Sequence, residues 1–236
     1  MKITLNKRNF FLFPQFICFQ LLLNFAGSIP ITYMENKNYS LLSLGDSYTI
    51  GESVLPSENF PNQAVQLLKK ENIDFNSTEI IAKTGWTTDE LQSAIDKNTF
   101  LPKYDFVTLL IGVNNQYRAR SIENYKAEFE NLLKQAIKFA GNDTSHVFVL
   151  SIPDWGVTAF AEGRDRKQIA KEIDEYNAAN KLIAEKLKVH YIDITAGTRQ
   201  AAMDLSLLAA DGLHPSAKEY LRWAVRLADA IKTELQ

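Results

Sequence analysis

A hydroxyl, an imidazole and a carboxylate suffice for acyl transfer once a chain brings them together. The imidazole takes the hydroxyl proton, and the carboxylate fixes the ring tautomer and stabilises its charged form. This chain carries Ser47 at the end of an apolar run, in Gly-Asp-Ser-Tyr-Thr, and Asp211 and His214 in Asp-Gly-Leu-His-Pro near the other end. Three positions apart in a tight loop, Asp211 can turn its carboxylate back onto the His214 ring without help from another segment. Attack on a carbonyl also needs donors aimed where negative charge develops. The candidates are the N–H of Ser47, the N–H of Gly85 and the side-chain amide of Asn114. Each residue also has a plainer use: Ser47 as a turn cap, Gly85 and Asn114 as turn formers, Asp211 as a cap ahead of His214 and Pro215. Asp46 reads as an acceptor that fixes its own loop.

Composition narrows the chemistry. Among 236 residues, 26 Lys and Arg nearly balance 28 Asp and Glu, so no global field recruits nucleic acid or an anionic membrane. A small, uncharged or mildly polar substrate fits better. The one cysteine, Cys18, supports neither a disulfide framework nor a cysteine metal site. The histidines His146, His190 and His214 form no His-x-x-x-His pair, so no metal and no cofactor are expected.

Residues 1–33 open with Lys2, Lys7 and Arg8, run apolar, and reach Ala26, Gly27 and Ser28, which resembles a secretory signal and is short for a membrane span. Export or a periplasmic location is expected if residues 1–28 are a signal peptide, and the cytoplasm if translation starts at Met34. Cys18 precedes the small residues, which argues against a lipoprotein anchor. No stable membrane insertion is expected, and composition says nothing of oligomeric state. The folded domain is placed at residues 39–236.

Positioning the chemistry falls to alternating elements. Apolar runs at 41–44, 80–82, 106–111, 147–152 and 189–194 predict five strands, several covered on both faces. Between them lie helices with recognisable starts: Pro61 inside the first, Thr87 with Glu90 as a capping box in the second, Ser121 before the third. The third places Tyr125, Phe129, Leu132, Leu133 and Ala136 at three- and four-residue steps and stops at Gly141. The fourth covers 166–186, and the last follows Ser216 with Glu219 as its capping partner. The alternation predicts one parallel sheet between two helical layers with right-handed crossovers.

In that layout every strand delivers its loop to one sheet edge. Ser47 follows the first strand, Gly85 the second, Gly112 and Asn114 the third, Asp154 and Trp155 the fourth, Asp211 and His214 the fifth. His146 and His190 stand at strand starts, on the opposite edge, where solvated structural roles are expected. Tyr48, Trp86, Tyr117 and Trp155 flank the site residues and either line an acyl or sugar subsite or pack. The irregular segment 154–166 is a candidate rim, with Arg164 and Arg166 either meeting an acidic substrate or solvating a helix start.

Four blocks in this order resemble the SGNH or GDSL family of serine esterases and lipases: GDSYT at 45–49, Gly85 in AKTGWTT, GVNN at 112–115 and DGLH at 211–214. The resemblance covers nearly all of residues 39–236. It implies a flavodoxin-like α/β/α sandwich with strand order 2-1-3-4-5. It also implies Ser47 as nucleophile, His214 as base, Asp211 as its partner, and Ser47, Gly85 and Asn114 as the oxyanion hole. One departure stands out: Asn115 occupies a position where the family commonly has Asp. A Gly-x-Ser-x-Gly elbow is absent at Ser47, which disfavours the ordinary α/β-hydrolase class. The expected reaction is ester hydrolysis through an acyl-enzyme on Ser47, rising with pH through roughly 6 to 7 as a histidine base is freed. The alternatives are thioester or lysophospholipid cleavage, and a non-catalytic phosphate- or nucleotide-binding module. Neither GxxxxGK[ST] nor GxGxxG supports the module.

Overall fold

In a computed structural model that describes residues 37–236, the apolar runs form one parallel sheet in the order β2-β1-β3-β4-β5. In chain order the main elements are β1 (Tyr39–Asp46), α1 (Ser47–Ile50), α2 (Phe60–Lys70), β2 (Phe75–Lys83), α3 (Thr88–Ile95) and β3 (Phe106–Leu110). They continue with α4 (Val113–Tyr117), α5 (Ile122–Phe139), β4 (Val147–Leu150), α6 (Arg166–Leu187), β5 (His190–Ile192), α7 (Thr195–Thr198) and α8 (Ala217–Glu234). Helices α2 and α8 pack together on one face, and α3, α5 and α6 form the layer on the other. The leader expected at residues 1–33 and the alternative start at Met34 lie outside the described residues. Among those described, no helix is long and apolar enough to cross a membrane.

Strand lengths depart from the apolar runs for identifiable reasons. β1 is hydrogen-bonded on both sides, to β2 and β3, so its ladder carries the flanking Tyr39, Ser40, Gly45 and Asp46 as well. β2 starts five residues before its apolar run. It is an edge strand, where Asn76, Ser77, Thr78 and Glu79 can face water. At the other three, Ile111, Ile152 and Ile194 leave the ladder but remain buried as a floor under the loops beyond it.

Helix starts follow local chemistry, with one correction. The Asn59 Oδ1 accepts the Asn62 N–H at 3.0 Å ahead of α2, and the Thr87 N–H donates to the Glu90 carboxylate at 2.9 Å ahead of α3. Ser121 Oγ accepts the Asn124 N–H at the start of α5, and Gly141 takes φ +70° just past its end. The predicted capping box of α8 does not form. Ser216 donates its hydroxyl to the Ser206 carbonyl, and Glu219 is buried, accepting the Trp223 indole N–H at 2.9 Å and pairing with Arg222. Burying a carboxylate is costly unless such partners satisfy it, and here they outcompete the cap.

Candidate active site

The site is built from the five loops at the carboxyl ends of the strands, and its first constraint is steric. A Cβ on Gly45 would stand 2.0 Å from the Thr49 Oγ1 and 2.4 Å from the Leu110 carbonyl oxygen, so only glycine lets α1 fold back beside β3. The Asp46 carboxylate then caps α1 by accepting the Tyr48 N–H at 3.0 Å, and Ser47 becomes the first residue of that helix. Asp46 is fully buried, and burial pushes its carboxyl up to about 7 against the hydrogen bonds from Tyr48 and Asn114. Its role as a loop-fixing acceptor is the one its position supports.

At the far end of the chain, Asp211 and His214 meet directly. The His214 Nδ1 lies 2.6 Å from the Asp211 Oδ2, so Nδ1–H donates and Nε2 is left as the proton acceptor. The other carboxylate oxygen accepts the Leu213 and His214 N–H groups, both at 3.0 Å. Burial pushes the Asp211 carboxyl up, but the His214, Leu213 and Ser53 hydrogen bonds outweigh it and hold it down to about 2. Ser53 is the surprise: its Oγ donates to Asp211 Oδ2 at 2.7 Å across 158 positions, from a backbone with φ +67°. Neither its spacing from Ser47 nor its flanking residues signals this contact.

Ser47, Gly85, Asn114 and His214 line one open pocket of about 140 Å³, together with Tyr48, Thr84, Val113, Tyr117, Trp155, Phe160 and Leu213. No hydrogen bond joins the Ser47 hydroxyl to His214 among the described residues; they meet as walls of one pocket. The Tyr48 ring lies 5.0 Å from the imidazole and closes its inner side, and burial raises the Tyr48 phenol well above its usual range.

Gly85 takes φ +85°, a backbone that a residue with a side chain rarely adopts. Its N–H has no partner among the described residues, while its carbonyl accepts the Arg118 guanidinium at 2.6 Å. The Asn114 Nδ2 donates to the Trp86 carbonyl at 3.0 Å and reaches the Asp46 Oδ2 at 3.4 Å. The second bond is the longer and weaker of the two. Asn115 works beside it. Its buried side chain accepts the Thr88 N–H at 3.1 Å and donates to the Thr88 hydroxyl at 2.6 Å, tying α4 to α3; a carboxylate there could not donate.

The flanking aromatic residues divide. Tyr48, Tyr117 and Trp155 line the pocket, whereas Trp86 does not: its ring packs against the core, and only its carbonyl serves the site. Phe160 takes the expected place of Trp86 on the wall, from a short 3-10 turn inside the irregular segment. Asp154 caps the preceding turn and pairs with Arg199 at 2.9 Å, and Arg166 donates to the carbonyls of Gly156 and Thr158 at 3.0 Å each. Both are loop braces. His190 pairs with Glu234 at 3.0 Å and the His146 ring lies tilted 4.7 Å from the Phe106 ring, and neither lines the pocket. Among the described residues, no three His, Cys, Asp or Glu side chains converge as a metal site.

The fold is a parallel sheet covered on both faces, with the pocket at the carboxyl ends of its strands. Residues 43–222 match the GDSL-like lipase/acylhydrolase family, and the chain belongs to it. It is a carboxylic ester hydrolase that acts on small-molecule esters. Among solved structures, an acetylxylan esterase from Geobacillus stearothermophilus is similar at 20% identity and a TM-score of 0.63, over 82% of this chain and 94% of its own. A lipase/acylhydrolase from Enterococcus faecalis is similar at 20% identity and a TM-score of 0.63, over 83% and 96%. Two variants of the acetylxylan esterase, at 19% and 20% identity, TM-scores of 0.62 and 0.58, and 82% of this chain against 94% and 92% of theirs, are described as catalytic mutants. One replaces an aspartate and the other a histidine three positions later. A search of curated protein sequences finds no match.

Proposed function

We propose that this enzyme cleaves short-chain esters, acetyl groups on carbohydrate among them, through an acyl-enzyme on Ser47. The observation that carries the reading is the 2.6 Å bond from His214 Nδ1 to Asp211, with the same imidazole forming the wall of a pocket shared by Ser47, Gly85 and Asn114. The aspartate and histidine replaced in the acetylxylan esterase mutants have the spacing of Asp211 and His214, which supports the assignment.

In the first half-reaction His214 Nε2 takes the Ser47 proton as Oγ bonds to the ester carbon, and the N–H groups of Ser47 and Gly85 with the Asn114 amide hold the oxyanion. The C–O bond to the alcohol then breaks, and the alcohol leaves with the proton from His214. Water, deprotonated by the same nitrogen, adds to the acyl carbon; the bond to Oγ breaks as His214 returns that proton to Oγ, and the acid departs. Asp211 keeps Nδ1 protonated throughout.

A pocket walled by Tyr117, Trp155 and Phe160 favours a short acyl group over a long lipid chain. Two measurements test this. A fluorophosphonate probe is expected to modify Ser47, with labelling lost in His214→Ala; labelling elsewhere, or persisting without the imidazole, refutes the site. Turnover across esters of rising acyl length, with acetylated sugars and thioesters alongside, is expected to peak at acetyl. A maximum at long acyl chains or at thioesters would assign the enzyme to that chemistry instead.

A further inference from the structure

Seven arginines lie within the described residues, and their guanidinium groups are not used alike. Arg118 pairs with Glu90, Arg120 with Asp89, Arg199 with Asp154 and Asp174, and Arg222 with Glu219. Arg166 and Arg226 donate to backbone carbonyls. Arg164 alone has neither a carboxylate nor a carbonyl partner. Its one hydrogen bond goes to the Tyr117 hydroxyl at 3.1 Å. Its guanidinium carbon lies 4.9 Å from the centre of the Tyr117 ring, 5.3 Å from Trp155 and 5.9 Å from Phe160.

Those three rings line the pocket that holds Ser47 and His214, together with Tyr48, and they also pack on one another, with centroids 5.4 to 5.9 Å apart. Stacking on aromatic rings orients a guanidinium while leaving its N–H edge free. The group has five donors, and one is engaged. An exposed arginine held against rings that line the pocket, with four of its five donors unengaged, matches the planar, two-oxygen face of a carboxylate. The chain's near-neutral balance means that such selectivity would arise from this one group, not from a global field.

We propose that Arg164 is a specificity determinant that binds a carboxylate on the alcohol portion of the ester, so that the preferred substrates are short acyl esters of hydroxy acids such as acidic sugars. In this reading the short acyl group fills the pocket at Ser47, and the alcohol portion extends past the aromatic wall toward the exposed guanidinium of Arg164. This rests on the ester-hydrolase reading above and adds the substrate class.

The test compares 4-acetoxybenzoate with its methyl ester, which share an acyl group and differ in one negative charge. The readout is the ratio of their kcat/KM values, taken in the native enzyme, Arg164→Gln and Arg164→Lys. The ratio is expected to fall about fivefold in Arg164→Gln, as for a partly exposed charge pair, and less in Arg164→Lys, which keeps the charge and loses the fork. In the native enzyme, about 0.5 M salt is expected to lower the ratio, because salt screens the pair. This arm needs no variant to fold. A ratio unmoved by substitution and by salt overturns the proposal, and Arg164 is then a brace for the aromatic wall. Preference for a charge on the acyl side, read with a hemisuccinate ester, also overturns it. If neither ester is cleaved and Ser47 takes no fluorophosphonate, the hydrolytic assignment of the site itself has failed.

Discussion

Ser53 offers the sharpest test of how the site is held. The Asp211 carboxylate accepts four hydrogen bonds, and the one from Ser53 Oγ, at 2.7 Å, falls on the same oxygen that receives the His214 Nδ1–H. Ser53→Ala removes that donor and leaves the imidazole as the one partner of this oxygen, with the Leu213 and His214 N–H groups still on the other. A hydrogen bond to a charged acceptor contributes about 1.5 to 3 kcal/mol, and water replaces part of it at so exposed a position, leaving about 1 kcal/mol. At that size kcat/KM is expected to drop about fivefold. Ser53 also holds φ +67°, which costs a residue with a side chain about 1 kcal/mol, and alanine keeps that strain. Ser53→Gly loses the same hydrogen bond and relieves the strain. The two variants should therefore agree in kcat/KM on 4-nitrophenyl acetate and differ in thermal unfolding, with glycine the more stable. If the glycine variant recovers activity along with stability, Ser53 acts through the fold; if Ser53→Ala stays within twofold of the native rate, Asp211 needs no such anchor.

Other substitutions probe neighbouring links. Asn114→Ala is expected to cut turnover by about a hundredfold or more in single-turnover kinetics; an undiminished rate removes it from the oxyanion hole. Gly45→Ala forces a methyl group into the Thr49 hydroxyl and the Leu110 carbonyl, and should leave little folded protein by circular dichroism, where a native melting curve would refute the contact argument. Asp46 predicts a pH effect on stability. Its folded-state value of about 7 exceeds the 3.8 of a free aspartate, so the folded chain binds more protons between those limits and loses stability as pH rises through them. The full effect is on the order of 4 kcal/mol. Chemical denaturation of the native chain and Asp46→Asn should show their stability difference changing between pH 4 and 8, and a constant difference would contradict the buried carboxyl.

Where evidence is local, the sequence was enough. Asp211 and His214 lie three residues apart, so their pairing needed only a turn, and the face of α5 could be read from helical spacing because Tyr125, Phe129, Leu132, Leu133 and Ala136 repeat with the turn of the helix. The strand count and the edge that gathers the loops followed from alternation alone, and the strand order came with the family resemblance. Packing between distant segments decided the rest. Trp86 and Phe160 are both aromatic residues in loops that follow strands, but one packs against the core and the other onto the pocket wall. Arg164 and Arg166, two positions apart, separate into a rim group and a loop brace because different carbonyls and rings lie within their reach. The Glu219 carboxylate was drawn from a cap into the interior by Trp223 and Arg222, and Ser53 found Asp211 across nearly the whole domain. Periodicity encodes which face of an element is buried; it carries no information about which residue from elsewhere in the chain will meet that face, because only the folded sheet brings the two together.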